Sequence, residues 1–168
     1  MYGYGIVAAS LVMAAGLTGC GEAKEVALAR TESSNPIVKT DEGGERIYGG
    51  DPSVLVDGDT VYLYTGHDAS TDEQVADSVY EIPEYLCYSS TDLVNWKSEG
   101  TVMTMDTVDW AKDDVSAWAS QVMKYNDKYY LYYCSWDKSG KQSIGVAVAD
   151  SPTGTFVDIG EPLVRGSV

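Results

Sequence analysis

The sequence predicts an all-β chain assembled from four-stranded propeller blades, and three observations carry that prediction. Aromatic, β-prone runs recur: Tyr62-Leu63-Tyr64 is answered by Tyr130-Leu131-Tyr132, 68 residues later. Short apolar runs are separated by two-residue turn signals, Asp57-Gly58 and Asn126-Asp127. Each unit also carries a polar turn ending in a large aromatic, Trp96 after Ser90–Asn95 and Phe156 after Asp150–Thr155. A repeat of supersecondary units at this spacing is the mark of propeller blades.

Taken in order, the chain opens with an apolar, small-residue run from Ile6 to Leu17, too short to span a bilayer as a stable helix. It ends in Leu17-Thr18-Gly19-Cys20, which resembles the lipobox of bacterial lipoproteins, where the cysteine becomes the lipidated first residue. No Lys or Arg precedes the run, a departure from that pattern. An ordinary cleaved signal peptide and a short buried helix are the other readings. Residues 1–20 are therefore expected to be a lipoprotein signal peptide and Cys20 its lipidation site. The protein is placed on the outer face of the cell membrane, or secreted. Residues 21–46, rich in Glu, Ser and Thr without a sustained period, read as a disordered tether.

The folded part, 47–168, starts near Ile47. Ser53–Val56 and Thr60–Thr65 are expected as a hairpin about Asp57-Gly58. Ala69–Pro83 reads as an irregular acidic insertion, Tyr85–Ser90 as the third strand and Gly100–Met103 as the fourth. The second unit repeats the outline with Gln121–Tyr125, Tyr129–Tyr133 and Ser143–Ala149, and its fourth strand lies near the end of the sequence. Two blades alone would leave sheet edges and a broad interface open to water, so the chain is expected to be part of a larger ring.

Charge narrows the partners. Eleven basic against 26 acidic residues give a net charge of −15, which repels nucleic acid and anionic membrane surfaces. A neutral or cationic partner fits better, and the membrane is reached only through a lipid anchor. With Cys20 lipidated, Cys87 and Cys134 remain in an oxidising compartment; they can pair, but buried free thiols on strands are the preferred reading. His67 is the sole histidine, and no Cys/His group has metal-ligand spacing.

Chemistry is sought first at Asp51-Pro52, directly ahead of the first strand. A propeller gathers the starts of its innermost strands around a central funnel, so an acid at that position projects into the cavity. A carboxylate there can take a proton from water, one half of what glycosidic cleavage needs. Pro52 suits a strand start, where no ladder donor is required. The same pair also makes a stiff turn with a capping side chain, and spacing alone leaves both readings open.

The ordered segments GGDPSVLVDGDTVYLYTGHD, CYSSTDLVNWKSEG, AWASQVMKYNDKYYLYYC and VAVADSPTGTF together resemble the first two blades of glycoside hydrolase family 43, over Tyr48–Val168. That resemblance implies a five-bladed β-propeller, with inverting hydrolysis of arabinose- or xylose-containing polysaccharides. It implies Asp51 as general base, a carbohydrate as substrate, a monomer at full length and no required cofactor. Some relatives hold a calcium ion in the central channel. The family also uses an Asp in a third-blade Asp-Pro setting and a later Glu as general acid, and neither has a matching position here. Glu84 falls in the insertion and Glu161 in the last strand, outside the pattern. The chain alone is accordingly expected to be inactive.

Weaker candidates line the same end. His67 and Asp68 follow the second strand, where they can bind a sugar hydroxyl or complete a turn. Trp118 precedes the second unit's inner strand and can stack on a pentose face. Many relatives carry Trp-Ala-Pro there, and this chain has Trp118-Ala119-Ser120. Gln121 can donate to a sugar from the same place. Trp96, Trp110, Trp136 and most tyrosines read as packing between sheets. A carbohydrate-binding propeller without catalysis is the alternative function. A retaining furanosidase or glycan phosphorylase lacks its Trp-Met-Asn-Asp-Pro-Asn-Gly run or basic phosphate pocket.

Overall fold

A computed structural model describes residues 40, 46–77, 81–113 and 117–166. The expected signal peptide, Cys20 and nearly all of the tether lie outside the described residues. Eight strands form two four-stranded antiparallel sheets, each in sequential order. The first holds β1 (Gly49–Asp57), β2 (Thr60–His67), β3 (Glu84–Ser90) and β4 (Lys97–Thr104). The second holds β5 (Ser120–Tyr125), β6 (Lys128–Trp136), β7 (Gln142–Ala149) and β8 (Val157–Asp158). Both are meanders in which sequence neighbours are spatial neighbours, as the blade pattern predicts.

The hairpins follow from their turn residues. Asn126 and Asp127 take φ of 46° and 59°, so both central positions carry the positive φ of a type I′ turn, which residues of this kind tolerate. In the first hairpin the expected Asp57-Gly58 turn is displaced by one residue: Asp57 pairs with Thr60, and the turn is Gly58-Asp59. Gly58 alone takes positive φ, 60°, which suits glycine at the first central position. Three other expectations are corrected. The insertion contains a short helix, α1 (Asp72–Ala76). The fourth strand of the first unit runs longer than expected, with two register shifts against β3. That of the second unit is only two residues long.

Strand alternation decides what meets at the seam between the sheets. Along β6, Tyr129, Leu131, Tyr133 and Ser135 are buried while Tyr130, Tyr132, Cys134 and Trp136 are half-exposed, the period of two of a pleated strand. Tyr129, Leu131 and Tyr133 join Tyr64, Tyr85, Cys87 and Val102 of the first sheet in one core with Val122 and Phe156. Phe156 meets Tyr64 edge-on at 6.2 Å between centroids, a favoured aromatic geometry. Buried phenols need partners: Tyr64 donates to the Pro152 carbonyl (2.7 Å) and Tyr85 to that of Trp118 (2.6 Å), each crossing the seam. At the far end of β1, Asp57 accepts from Lys124 (2.8 Å) and from Tyr129, a further link between sheets.

The tryptophans largely pack, as expected. Trp110 stacks on Tyr133 at 5.9 Å, and its indole N–H donates to Asp158. Trp136 meets Trp118 edge-on at 6.1 Å. Phe156 is fully buried and Trp96 only half-buried, so the two turn aromatics are not equivalent. Cys87 and Cys134 are both free thiols.

Candidate functional site

The start of β1 is irregular in a way that isolates Asp51. Gly50 pairs with Gly66 and Ser53 with Tyr64, so Asp51 and Pro52 together oppose the single residue Thr65. This two-against-one count is a β-bulge, and its first residue, Asp51, takes φ of 49°. Glycine usually fills that left-handed position; Asp tolerates it at a cost of about 1 kcal/mol or more. Pro52 fits because a bulged residue donates nothing to the ladder. The Asp51 side chain is exposed, and among the described residues nothing hydrogen-bonds to its carboxylate. Two buried hydroxyls beside the bulge, Ser53 Oγ and Thr65 Oγ1, likewise have no partner among them.

Tyr85 connects Asp51 to the second sheet. Burial pushes the Tyr85 phenol well above its usual range, with Cys134 and then Asp51 adding to the effect through their charge. The phenol therefore stays protonated and holds the Trp118 carbonyl, while the Trp118 N–H donates to the Cys134 carbonyl (3.1 Å). Trp118 is thus fixed by its backbone at the same end of the sheets as Asp51, with a half-exposed ring. Gln121 is exposed, and its amide donates to the Val122 carbonyl (2.9 Å). The β5–β6 register is unbroken, so the second sheet has no counterpart of the Asp51 bulge.

His67 and Asp68 part company. Asp68 accepts from the backbone N–H and the hydroxyl of Ser70 (2.9 and 2.5 Å), the role of a turn residue. His67 closes β2 opposite Gly49, and its Nδ1 lies 2.7 Å from Glu84 Oε1. The other Glu84 oxygen accepts from the Thr101 hydroxyl (2.7 Å). Glu84 is the first residue of β3, so its assignment to the insertion is corrected. Register places it there: β2 and β3 pair without a break from Val61–Ser90 to His67–Glu84. Tyr85 was missed as well, because a buried tyrosine with a structural bond reads like any other aromatic in a strand.

Outward from this pair lies a cleft of about 490 Å³, lined by Glu81, Glu84, Thr104, Asp106 and Lys112 among others; Asp51 and Trp118 are not part of its wall. Among the described residues no group of three or more His, Cys, Asp or Glu side chains converges as metal ligands. Glu161 is exposed, beyond β8 and outside this cluster.

The profile described as glycosyl hydrolases family 43 matches residues 33–166. Xylosidase/arabinosidase 43A of Humicola insolens is 36% identical over 127 residues, covering 72% of this chain and 38% of that protein. A xylosidase/arabinosidase of Bacteroides ovatus is 32% identical over 124 residues, covering 71% and 37%. Among solved structures, the GH43_1 enzyme from Xanthomonas citri complexed with xylose has a TM-score of 0.62 at 30% identity, covering 71% of this chain and 34% of that one. The α-L-arabinofuranosidase from Clostridium thermocellum has a TM-score of 0.54 at 40% identity, covering 68% and 36%. The chain spans less than two-fifths of the length of these relatives.

Proposed function

The chain belongs to glycosyl hydrolases family 43, and from that membership we propose that the full-length protein hydrolyses O-glycosyl bonds of arabinose- or xylose-containing polysaccharides or oligosaccharides, with inversion. The carrying observation is the exposed Asp51 carboxylate, without a hydrogen-bond partner among the described residues, on a left-handed bulge at the first strand's start. It is the general base: it takes a proton from a water whose oxygen attacks the anomeric carbon on the face opposite the departing sugar. A carboxylic acid roughly 6.5–9.5 Å away must protonate the leaving oxygen. No residue of this chain matches that acid, so the chain alone does not complete the reaction, and a five-bladed ring supplies the rest. Trp118 is the stacking surface for a pentose ring, with His67 and Gln121 at the edge of the same site. Asp68 has the weakest claim, since Ser70 already engages it. Cys20 carries a lipid that anchors the protein outside the cytoplasm.

Asp51→Asn in the full-length protein tests the base. Hydrolysis of aryl arabinoside and xyloside substrates should fall at least about 10³-fold, while the melting temperature moves by no more than a few degrees. Retained turnover removes Asp51 from the mechanism. Binding of oligosaccharide without turnover by the unaltered protein would assign it a carbohydrate-binding role instead.

A further inference from the structure

Glu84 is a carboxylate paired with His67 whose role the family pattern does not supply, and its surroundings suggest one. Glu84 Oε2 accepts from the Thr101 hydroxyl, and Oε1 lies 2.7 Å from His67 Nδ1, where an ionised Glu84 draws the imidazole proton onto Nδ1. The order of strands puts β2 between β1 and β3. Glu84 therefore grips the His67 ring from the outer side, at its Nδ1 edge. The two ring nitrogens lie on different edges, so the remaining one, Nε2, is directed away from β3. It has no partner among the described residues. With Nδ1–H committed to a carboxylate, the tautomer is set and Nε2 is left as an acceptor. His67 is paired with Gly49, two positions from Asp51.

Resting on the glycosidase reading, we propose that Glu84 is a positioning residue: it fixes the orientation and tautomer of His67 so that Nε2 accepts a hydroxyl of the bound sugar beside Asp51. Thr101 fixes Glu84 in turn, which makes the arrangement a relay from β4 to β2. The ring is half-exposed, so a hydroxyl can reach it.

The test uses the full-length protein in an Asp51→Asn background, so that oligosaccharide stays uncleaved. Calorimetry measures whichever of xylotriose and arabinotriose binds more tightly. Glu84→Ala should weaken binding about tenfold, the loss expected when one charge-oriented hydrogen bond goes. Glu84→Gln should return it to within about threefold, because the amide oxygen still accepts from Nδ1–H. Nitrogen-15 NMR of the His67 imidazole, assigned by its disappearance in His67→Gln, should report the Nδ1–H tautomer in the parent and in Glu84→Gln, and a mixture in Glu84→Ala. Equal affinity in all three, a Gln variant as weak as Ala, or a parent that binds neither sugar would overturn the proposal. So would a large loss of kcat with unchanged KM in Glu84→Gln when Asp51 is intact, since Glu84 would then be delivering a proton. The glycosidase reading fails separately, if the unaltered protein cleaves no arabinosyl or xylosyl bond while the Glu84→Ala binding defect persists.

Discussion

Gly145→Ala should destabilise the second sheet far more than a methyl group suggests. Gly145 lies in β7 directly opposite Tyr133 in β6, and the tyrosine ring crosses the space a side chain would fill. A Cβ there would collide with Tyr133 Cζ and fall 2.6 Å from the hydroxyl oxygen and 2.7 Å from Trp110 Cζ2. The ring cannot swing aside freely. It is buried, stacked on Trp110 at an interplanar angle of 21°, and its hydroxyl donates to Asp158 at 2.5 Å. Trp110 donates to the same carboxylate at 3.1 Å. Overpacking of this kind costs about 1–3 kcal/mol. Disturbing the aromatic pair adds about 0.5–1.5 kcal/mol, and weakening hydrogen bonds to a carboxylate about 1.5–3 kcal/mol. Because these effects overlap, the expected total is about 3–5 kcal/mol. Urea unfolding of the full-length protein, followed by tryptophan emission, measures it. The double variant Tyr133→Ala/Gly145→Ala should cost clearly less than the two single variants summed, because the collision disappears. A loss below about 1 kcal/mol for Gly145→Ala would refute the reasoning.

Two further predictions concern groups that hold the sheets together. The hydrogen bond from Lys124, then that from Tyr129, keeps the Asp57 carboxyl below its usual range. Its contribution is therefore present above the unfolded value near 3.9 and lost as pH falls through the lower folded value. Asp57→Asn should flatten that part of the acid limb of a melting-temperature profile, and an unchanged limb would show that the link between the sheets does not form. Burial first, and the charge of Glu99 second, pushes the Cys87 thiol up to about 12. Native protein should leave Cys87 unmodified by iodoacetamide at about pH 8, with labelling only on unfolding, as read by peptide mass spectrometry; rapid native labelling would contradict its burial.

Much of the architecture was legible because it depends on local chemistry. Asn126-Asp127 marks a turn that needs two left-handed residues, and the alternating aromatics of β6 mark a face. What was illegible depends on register. The turn at Gly58-Asp59 differs from the Asp57-Gly58 reading by one position, because either dipeptide supplies turn residues and only cross-strand pairing with Thr60 decides. Glu84 was lost in the insertion for the same reason: its strand begins opposite His67, and no local signal marks that pairing. The Asp-Pro dipeptide was visible, but the bulge that lifts Asp51 out of the ladder is a property of two strands together. Tyr85 and Gly145 carry no local signature, since their importance comes from what is packed against them.

The two-for-one bulge at Asp51-Pro52 also acts as a phase shift in the strand. Ser53, Leu55 and Asp57 take their facing from pairing on the far side of it, through Tyr64, Tyr62 and Thr60. Loss of a single codon at position 51 would leave Pro52 alone opposite Thr65, removing the bulge and its left-handed residue while setting a residue without an N–H in the ladder. The product would keep the same core and the same sheet order while lacking its acid. The proposed base is thus one small deletion away from a related sheet without it, and a shared shape is no guide to which of the two a given gene encodes.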